Sequence, residues 1–125
     1  MVDNNYTKEE EKMINETRKI LKRQNLPITA TCVRVPVFNS HSESINVEFE
    51  NNFDLDDLTS SLKKAPGIIL VDEPTPQISS GHNEVFVGRI RRDFSVTFGI
   101  NMWVVADNIR KGAATNSIQI LEKLI

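Results

Sequence analysis

A single cysteine, Cys32, in 125 residues rules out an internal disulfide framework. Two histidines beside one thiol are too few and too scattered to make a zinc site, so no metal centre is expected. No apolar run reaches membrane-spanning length, and the opening Met-Val-Asp-Asn-Asn-Tyr is polar, without a signal-peptide core. The expectation is a cytoplasmic protein with no membrane partner. Neither sign of charge dominates: 15 Lys and Arg face 17 Asp and Glu, for a formal net charge of -2. A nucleic-acid partner therefore has no basic field to meet. The local run Arg89-Ile-Arg91-Arg92 lacks interleaved aromatics for base stacking and reads as a solvated or interface strand. Glycine is sparse too. Gly67, Gly81, Gly88, Gly99 and Gly112 never fall into the G-x-G-x-x-G spacing that follows a strand in a dinucleotide-binding turn.

What is present is an ordinary globular composition, 39% apolar and 26% charged, long enough to bury a core as one domain over residues 1–125. Thr7-Lys8-Glu9-Glu10 has the form of a capping box, and Met13, Ile14, Thr17, Ile20 and Leu21 follow at helical spacing. Lys19, Lys22 and Arg23 gather at the far end, where cations suit the helix dipole, and Asn25-Leu-Pro27 stops it. Residues 28–37 are rich in β-branched side chains and predict a strand with Val33, Val35 and Val37 on one face, Cys32 and Arg34 on the other. Asn39 to Glu43 predicts a turn, and Ser44 to Glu50 alternates as a half-buried strand, with Ile45, Val47 and Phe49 inward. Asp54 or Asp56 can cap a short helix carrying Leu58 and Leu62, ended by Ala65-Pro-Gly67. Residues 68–71 predict a strand buried on both faces, and residues 72–83 a loop. Further strands are expected at 85–90, 96–98 and 102–105, then a C-terminal helix with Ile109, Ala113, Ile118, Leu121 and Ile125 as its apolar stripe. The order gives an α+β fold: a mixed, mostly antiparallel sheet with helices on one face.

The chemistry concentrates in Arg34-Val-Pro-Val-Phe-Asn-Ser-His41. A guanidinium is a forked donor suited to a carboxylate, and an imidazole moves protons near neutrality. Taken alone, Arg34 could instead pair with Glu48 on a neighbouring strand, and His41 beside its serines could be a turn residue with a local hydrogen bond. His82 reads as solvated. The small residues Gly112, Ala113 and Ala114 next to Lys111 let another backbone or a negative ligand come close, or merely allow tight packing.

Three blocks carry a resemblance to a known family. They are Glu9-Glu10-Glu11-Lys12-Met13 with Glu16-Thr17-Arg18-Lys19-Ile20, then Ala30 to Glu43, then Val85-Phe-Val-Gly-Arg-Ile-Arg91 through Trp103-Val-Val-Ala-Asp-Asn-Ile-Arg-Lys-Gly-Ala-Ala-Thr-Asn116. Over nearly its whole length the chain resembles the C-terminal catalytic and dimerisation domain of bacterial aspartate-semialdehyde dehydrogenases, a glyceraldehyde-3-phosphate-dehydrogenase-like fold. Enzymes of that family reduce aspartyl phosphate with NADPH, through a cysteine thioester, in lysine, methionine and threonine biosynthesis. The resemblance implies that His41 is the acid/base partner of that cysteine and that Arg34 binds the substrate carboxylate. It also implies that Glu9 holds the amino group, that Lys12 helps bind phosphate, and that Asn108, Lys111 and Gly112 lie near the NADP cofactor. Glu9 and Lys12, three residues apart at a helix start, would share a face. Cys32 does not match the family's nucleophile and reads as packing. The nucleophile and the NADP-binding domain fall outside the match, so the chain is expected to need an N-terminal NADP-binding half, in cis or in trans, to form a homodimer, and to be inactive alone. A sheet face evolved to be covered would also make the chain alone self-associate. The competing expectations are a non-catalytic dimerisation or regulatory fragment, and a related acyl-phosphate reductase.

Overall fold

The structure, a computed structural model, describes residues 4–125. The chain divides into two compact units, Met1–Pro36 and Val37–Ile125.

In the first unit the capping box forms as the sequence predicts and starts α1, Lys8–Ile20. Thr7 is extended, its hydroxyl accepts the Glu10 N–H at 3.2 Å, and the Glu10 carboxylate accepts the Thr7 N–H at 2.7 Å. Two donors that the helix itself leaves orphaned are satisfied in this exchange. Three acidic residues occupy the first turn and Arg18 and Lys19 the last, each sign at the end the helix dipole favours. Beyond Lys22, at φ 54°, the Arg18 Nε donates to the Leu26 carbonyl at 3.0 Å and secures the exit. The second Glu10 oxygen accepts the Cys32 N–H at 2.8 Å, so one buried carboxylate caps α1 and anchors the segment that follows.

That segment departs from expectation. Residues 28–37 run outside any helix or strand, and the sheet is built without them. The β-branched pattern is right for a strand, but a strand exists only where a neighbour completes its ladder. Val33, on the face predicted to carry the three valines, is 76% exposed.

The second unit is an α+β fold on an open four-stranded mixed sheet, in the order β1-β4-β3-β2. Here β1 is His41–Glu48, β2 Ile68–Leu70, β3 Val85–Asp93 and β4 Gly99–Ala106. The β1–β4 and β3–β4 pairs are antiparallel, and β2 joins β3 in parallel. Strand β1 begins three residues earlier than its alternation indicates, because His41 already pairs with Ala106 of β4. Its pattern is otherwise as read, with Ile45 and Val47 inward and Asn46 and Glu48 outward. Strand β2 is a half-buried edge rather than a strand covered on both faces.

Residues 96–98, predicted as a strand, are the loop of the β3–β4 hairpin, closed by the Asp93–Gly99 pair. The Asp93 carboxylate accepts both the Ser95 N–H at 2.8 Å and its hydroxyl at 2.7 Å, turn chemistry that overrides the strand propensity of Val96 and Phe98. The ladder slips between Gly88 and Arg91, with Arg89 at φ 53° in the bulge. The core residues Phe86, Val87, Ile100 and Val105 all lie on the two central strands.

Helix α2, Leu55–Lys64, is capped by Asp54, whose carboxylate accepts the N–H groups of Asp56 and Asp57 at 2.8 and 3.0 Å. It packs on β2 and β3. Arg92 lies 3.9 Å over the Phe53 ring and donates to the Phe53 carbonyl, which fixes the entry to α2. The region 72–83, expected as loop throughout, holds one short helix, α3, Pro76–Ser79, started by a proline at N1 behind a Thr75 cap. The C-terminal helix is not continuous. A π-turn, Arg110–Ala114, precedes α4, Thr115–Leu121, and the expected apolar stripe faces outward, with Ile109 69% exposed.

Candidate functional site

The candidate residues are divided between the two units. Glu9, Lys12 and Arg34 belong to the first, and His41, Asn108, Lys111 and Gly112 to the second. On α1, Glu9 and Lys12 do share a face, as a carboxylate–ammonium pair 3.8 Å apart. Both side chains are more than half exposed, so the pair is a presented polar feature rather than a stabilising one. Arg34 is exposed on the segment that follows α1. Cys32 is half-buried, with its Sγ 3.5 Å from the Met13 Sδ.

His41 opens β1, and its backbone is fixed by a feature the sequence reading passed over. Ser40, immediately before it, has φ 71°, a left-handed conformation that costs a non-glycine residue about 1 kcal/mol. Its buried hydroxyl accepts from the Ser79 hydroxyl at 2.8 Å and donates to the Pro76 carbonyl at 3.0 Å. The strained turn before His41 is thereby locked to α3. The His41 side chain stands out from the sheet edge, 58% exposed, with Nε2 2.8 Å from Glu43 Oε1. Strand alternation carried that signal, since residues 41 and 43 share a face.

The turn after β4 is held by Asp107, which the sequence reading also missed. Its buried carboxylate accepts the N–H groups of Gly81 at 2.8 Å, Ile109 at 2.9 Å and Arg110 at 3.1 Å. The Gly81 N–H, then that of Arg110, hold the Asp107 carboxyl below the usual carboxylate range. An aspartate just ahead of a helical run, free to form an Asx turn, is the signal that could have found it. Arg110 and Thr115 both donate to the Asn83 side-chain oxygen, at 3.1 and 3.3 Å. The Asn108 amide is exposed, and Lys111 donates to Gln119 Oε1 at 2.7 Å. Gly112 is exposed, and a Cβ built on it would meet only Asn108 Cβ, at 3.7 Å. This turn therefore offers an amide, an ammonium and an unobstructed backbone, a donor set compatible with one side of a nicotinamide dinucleotide. Among the described residues no group of His, Cys, Asp and Glu is arranged to hold a metal ion.

Set beside known proteins, the chain falls in the class of semialdehyde dehydrogenase dimerisation domains. The family model described as "Semialdehyde dehydrogenase, dimerisation domain" matches residues 1–111, and the chain belongs to that family. Within it, the relatives are aspartate-semialdehyde dehydrogenases. That of Aquifex aeolicus is 52% identical over 129 residues, which cover 98% of this chain and 38% of the relative. Aspartate semialdehyde dehydrogenase II of Vibrio cholerae, solved as a complex with ASA, superposes with a TM-score of 0.93 at 47% identity, over 98% of this chain and 38% of that one. The Candida albicans enzyme, solved with NADP, gives 0.65 at 28% identity, over 82% of this chain and 38% of that one. The chain thus spans about two-fifths of the length of these relatives, and it matches their C-terminal part.

Proposed function

We propose that this chain supplies the substrate-binding and acid/base half of an aspartate-semialdehyde dehydrogenase, completed by a second part that carries the nucleophilic cysteine and the NADP-binding fold. The observation that carries this reading is that such enzymes match 98% of the chain at about half identity, the segment from Arg34 to His41 included. In this reading the guanidinium of Arg34 pairs with the α-carboxylate of the substrate and fixes the reacting carbon. Glu9 accepts from the substrate amino group, and Lys12 meets the phosphate. That amino group separates this reading from an acyl-phosphate reductase acting on an N-acylated substrate, which would give Glu9 nothing to bind.

His41 takes the proton from the attacking thiol and returns it to the departing group. Asn108, Lys111 and the bare backbone at Gly112 would help hold the dinucleotide, which when bound would supply the hydride. A homodimer in the cytoplasm, serving lysine, methionine and threonine biosynthesis, is the setting this reading implies.

The test is phosphate-dependent NADP reduction with aspartate semialdehyde, on the chain alone and mixed with an N-terminal half carrying the dinucleotide fold. Turnover only in the mixture, abolished by His41→Asn, is the expected result. A folded mixture that binds NADP but does not turn over would reject the reading and leave a dimerising fragment without chemistry.

A further inference from the structure

An acid/base imidazole must have its ring held, because the ring rotates even when the backbone is fixed. The Ser40–Ser79–Pro76 hydrogen bonds fix the His41 backbone but do not touch the ring. Its neighbours across the ladder cannot direct it either. His41 pairs with Ala106 and Glu43 with Val104, and neither β4 residue has a polar side-chain atom. Strand β1 is an outer strand of the sheet, so within the ladder the polar partner for the ring comes from its own strand. There, Glu43 Oε1 stands 2.8 Å from His41 Nε2. Glu43 is itself half-buried, and so less free than a surface carboxylate to swing away.

We propose that Glu43 is a positioning residue for His41. A carboxylate accepts only, so the neutral imidazole carries its proton on Nε2 and leaves Nδ1 as the accepting nitrogen. When Nδ1 takes the thiol proton, the S–H bond breaks and the Nδ1–H bond forms. The resulting imidazolium keeps its Nε2–H on the Glu43 carboxylate, whose negative charge offsets the new positive one. This second statement rests on the function proposed above; the orientation and tautomer of the ring do not.

The experiment has two arms. In the first, the imidazole nitrogens of the ¹⁵N-labelled 125-residue chain are read by NMR at alkaline pH, with a His82→Gln chain separating the two histidines. The chain should show the His41 proton on Nε2. Glu43→Gln, which keeps an accepting oxygen, should preserve that pattern, and Glu43→Ala should scramble it. In the second arm the same variants are assayed in the reassembled enzyme. Glu43→Ala should lose about ten- to a hundred-fold in kcat, part of what a general base contributes, with KM for aspartate semialdehyde within about twofold. Glu43→Gln should fall between, since it restores geometry but not charge.

An unchanged His41 tautomer in Glu43→Ala overturns the proposal, as does a kcat within about twofold of the parent in an enzyme that His41→Asn abolishes. If the parent mixture itself is inactive, the functional reading fails instead, and the ring spectrum alone decides what Glu43 does.

Discussion

Gly88→Ala tests how closely the backbone of β3 is packed. Gly88 lies where the chain leaving β2 runs on alongside β3. An added Cβ would stand 2.5 Å from the Pro74 ring, 2.9 Å from the Asp72 carbonyl oxygen and still closer to that of Val71. Two of those neighbours are backbone carbonyls and the third is a proline ring, so no flexible side chain can move aside. Val71 N–H donates to the Val87 carbonyl at 3.0 Å, and Arg89 N–H to the Asp72 carbonyl at 3.3 Å, so relief requires opening hydrogen-bonded chain on both sides. Overpacking of this kind costs about 1–3 kcal/mol, and with rigid neighbours the upper end applies. Against a urea dependence of about 1.5 kcal/mol per molar, a loss of about 3 kcal/mol lowers the unfolding midpoint by about 2 M. The assay is urea titration followed by the fluorescence of Trp103, the single tryptophan, which pairs with Gly88 across the β3–β4 ladder. A midpoint within about 0.3 M of the parent, at unchanged slope, would refute the packing argument.

Two further outcomes follow from the turn after β4. Asp107 has its carboxyl held below the ordinary range, so its contribution to stability is present above its unfolded pKa and lost as pH falls through the lower folded one. Asp107→Asn keeps an accepting oxygen but cannot titrate. Its urea midpoint should therefore fall less steeply than the parent's between about pH 5 and about pH 2, and an equally steep fall would assign the acid lability elsewhere, with Glu10 and Asp93 next in line. Gly112→Ala meets no obstruction and sits in a helical turn, so it should stabilise the chain by about 0.5–1 kcal/mol in the same titration. In the reassembled enzyme that variant should raise the KM for NADP while leaving that for aspartate semialdehyde unchanged. An unchanged KM for both would remove Gly112 from the cofactor's surroundings.

Local signals were the readable ones. Thr7 and Glu10 announced α1 because both halves of a capping box lie within four residues, and of the two aspartates offered for α2 it is Asp54 that caps it. The alternation of Ile45 and Val47 with Asn46 and Glu48 gave the correct faces of β1. What failed depended on partners. Residues 28–37 have every local mark of a strand and lie outside the sheet, because propensity cannot supply the neighbour a ladder needs. Residues 96–98 lost to an aspartate whose carboxylate closed the turn first. The stripe on the C-terminal helix was real as a pattern, yet its outward face shows that periodicity names a side and not what covers it. At the site, residue types together with the family resemblance made His41 and Arg34 candidates. Ser40 and Ser79, which hold the turn before His41, became visible only through a contact 39 positions apart, whereas Asp107 carried a local Asx-turn signal besides its contact to Gly81, 26 positions away.

The run through Val33, Val35, Val37 and Phe38 presents apolar side chains to solvent, and Phe38 is fully solvent-facing. Covering those apolar side chains with a second copy of the chain would be a second-order event. Dilution would then work as a denaturant for it. Protein concentration would belong beside temperature and urea among the variables held fixed when stabilities are compared.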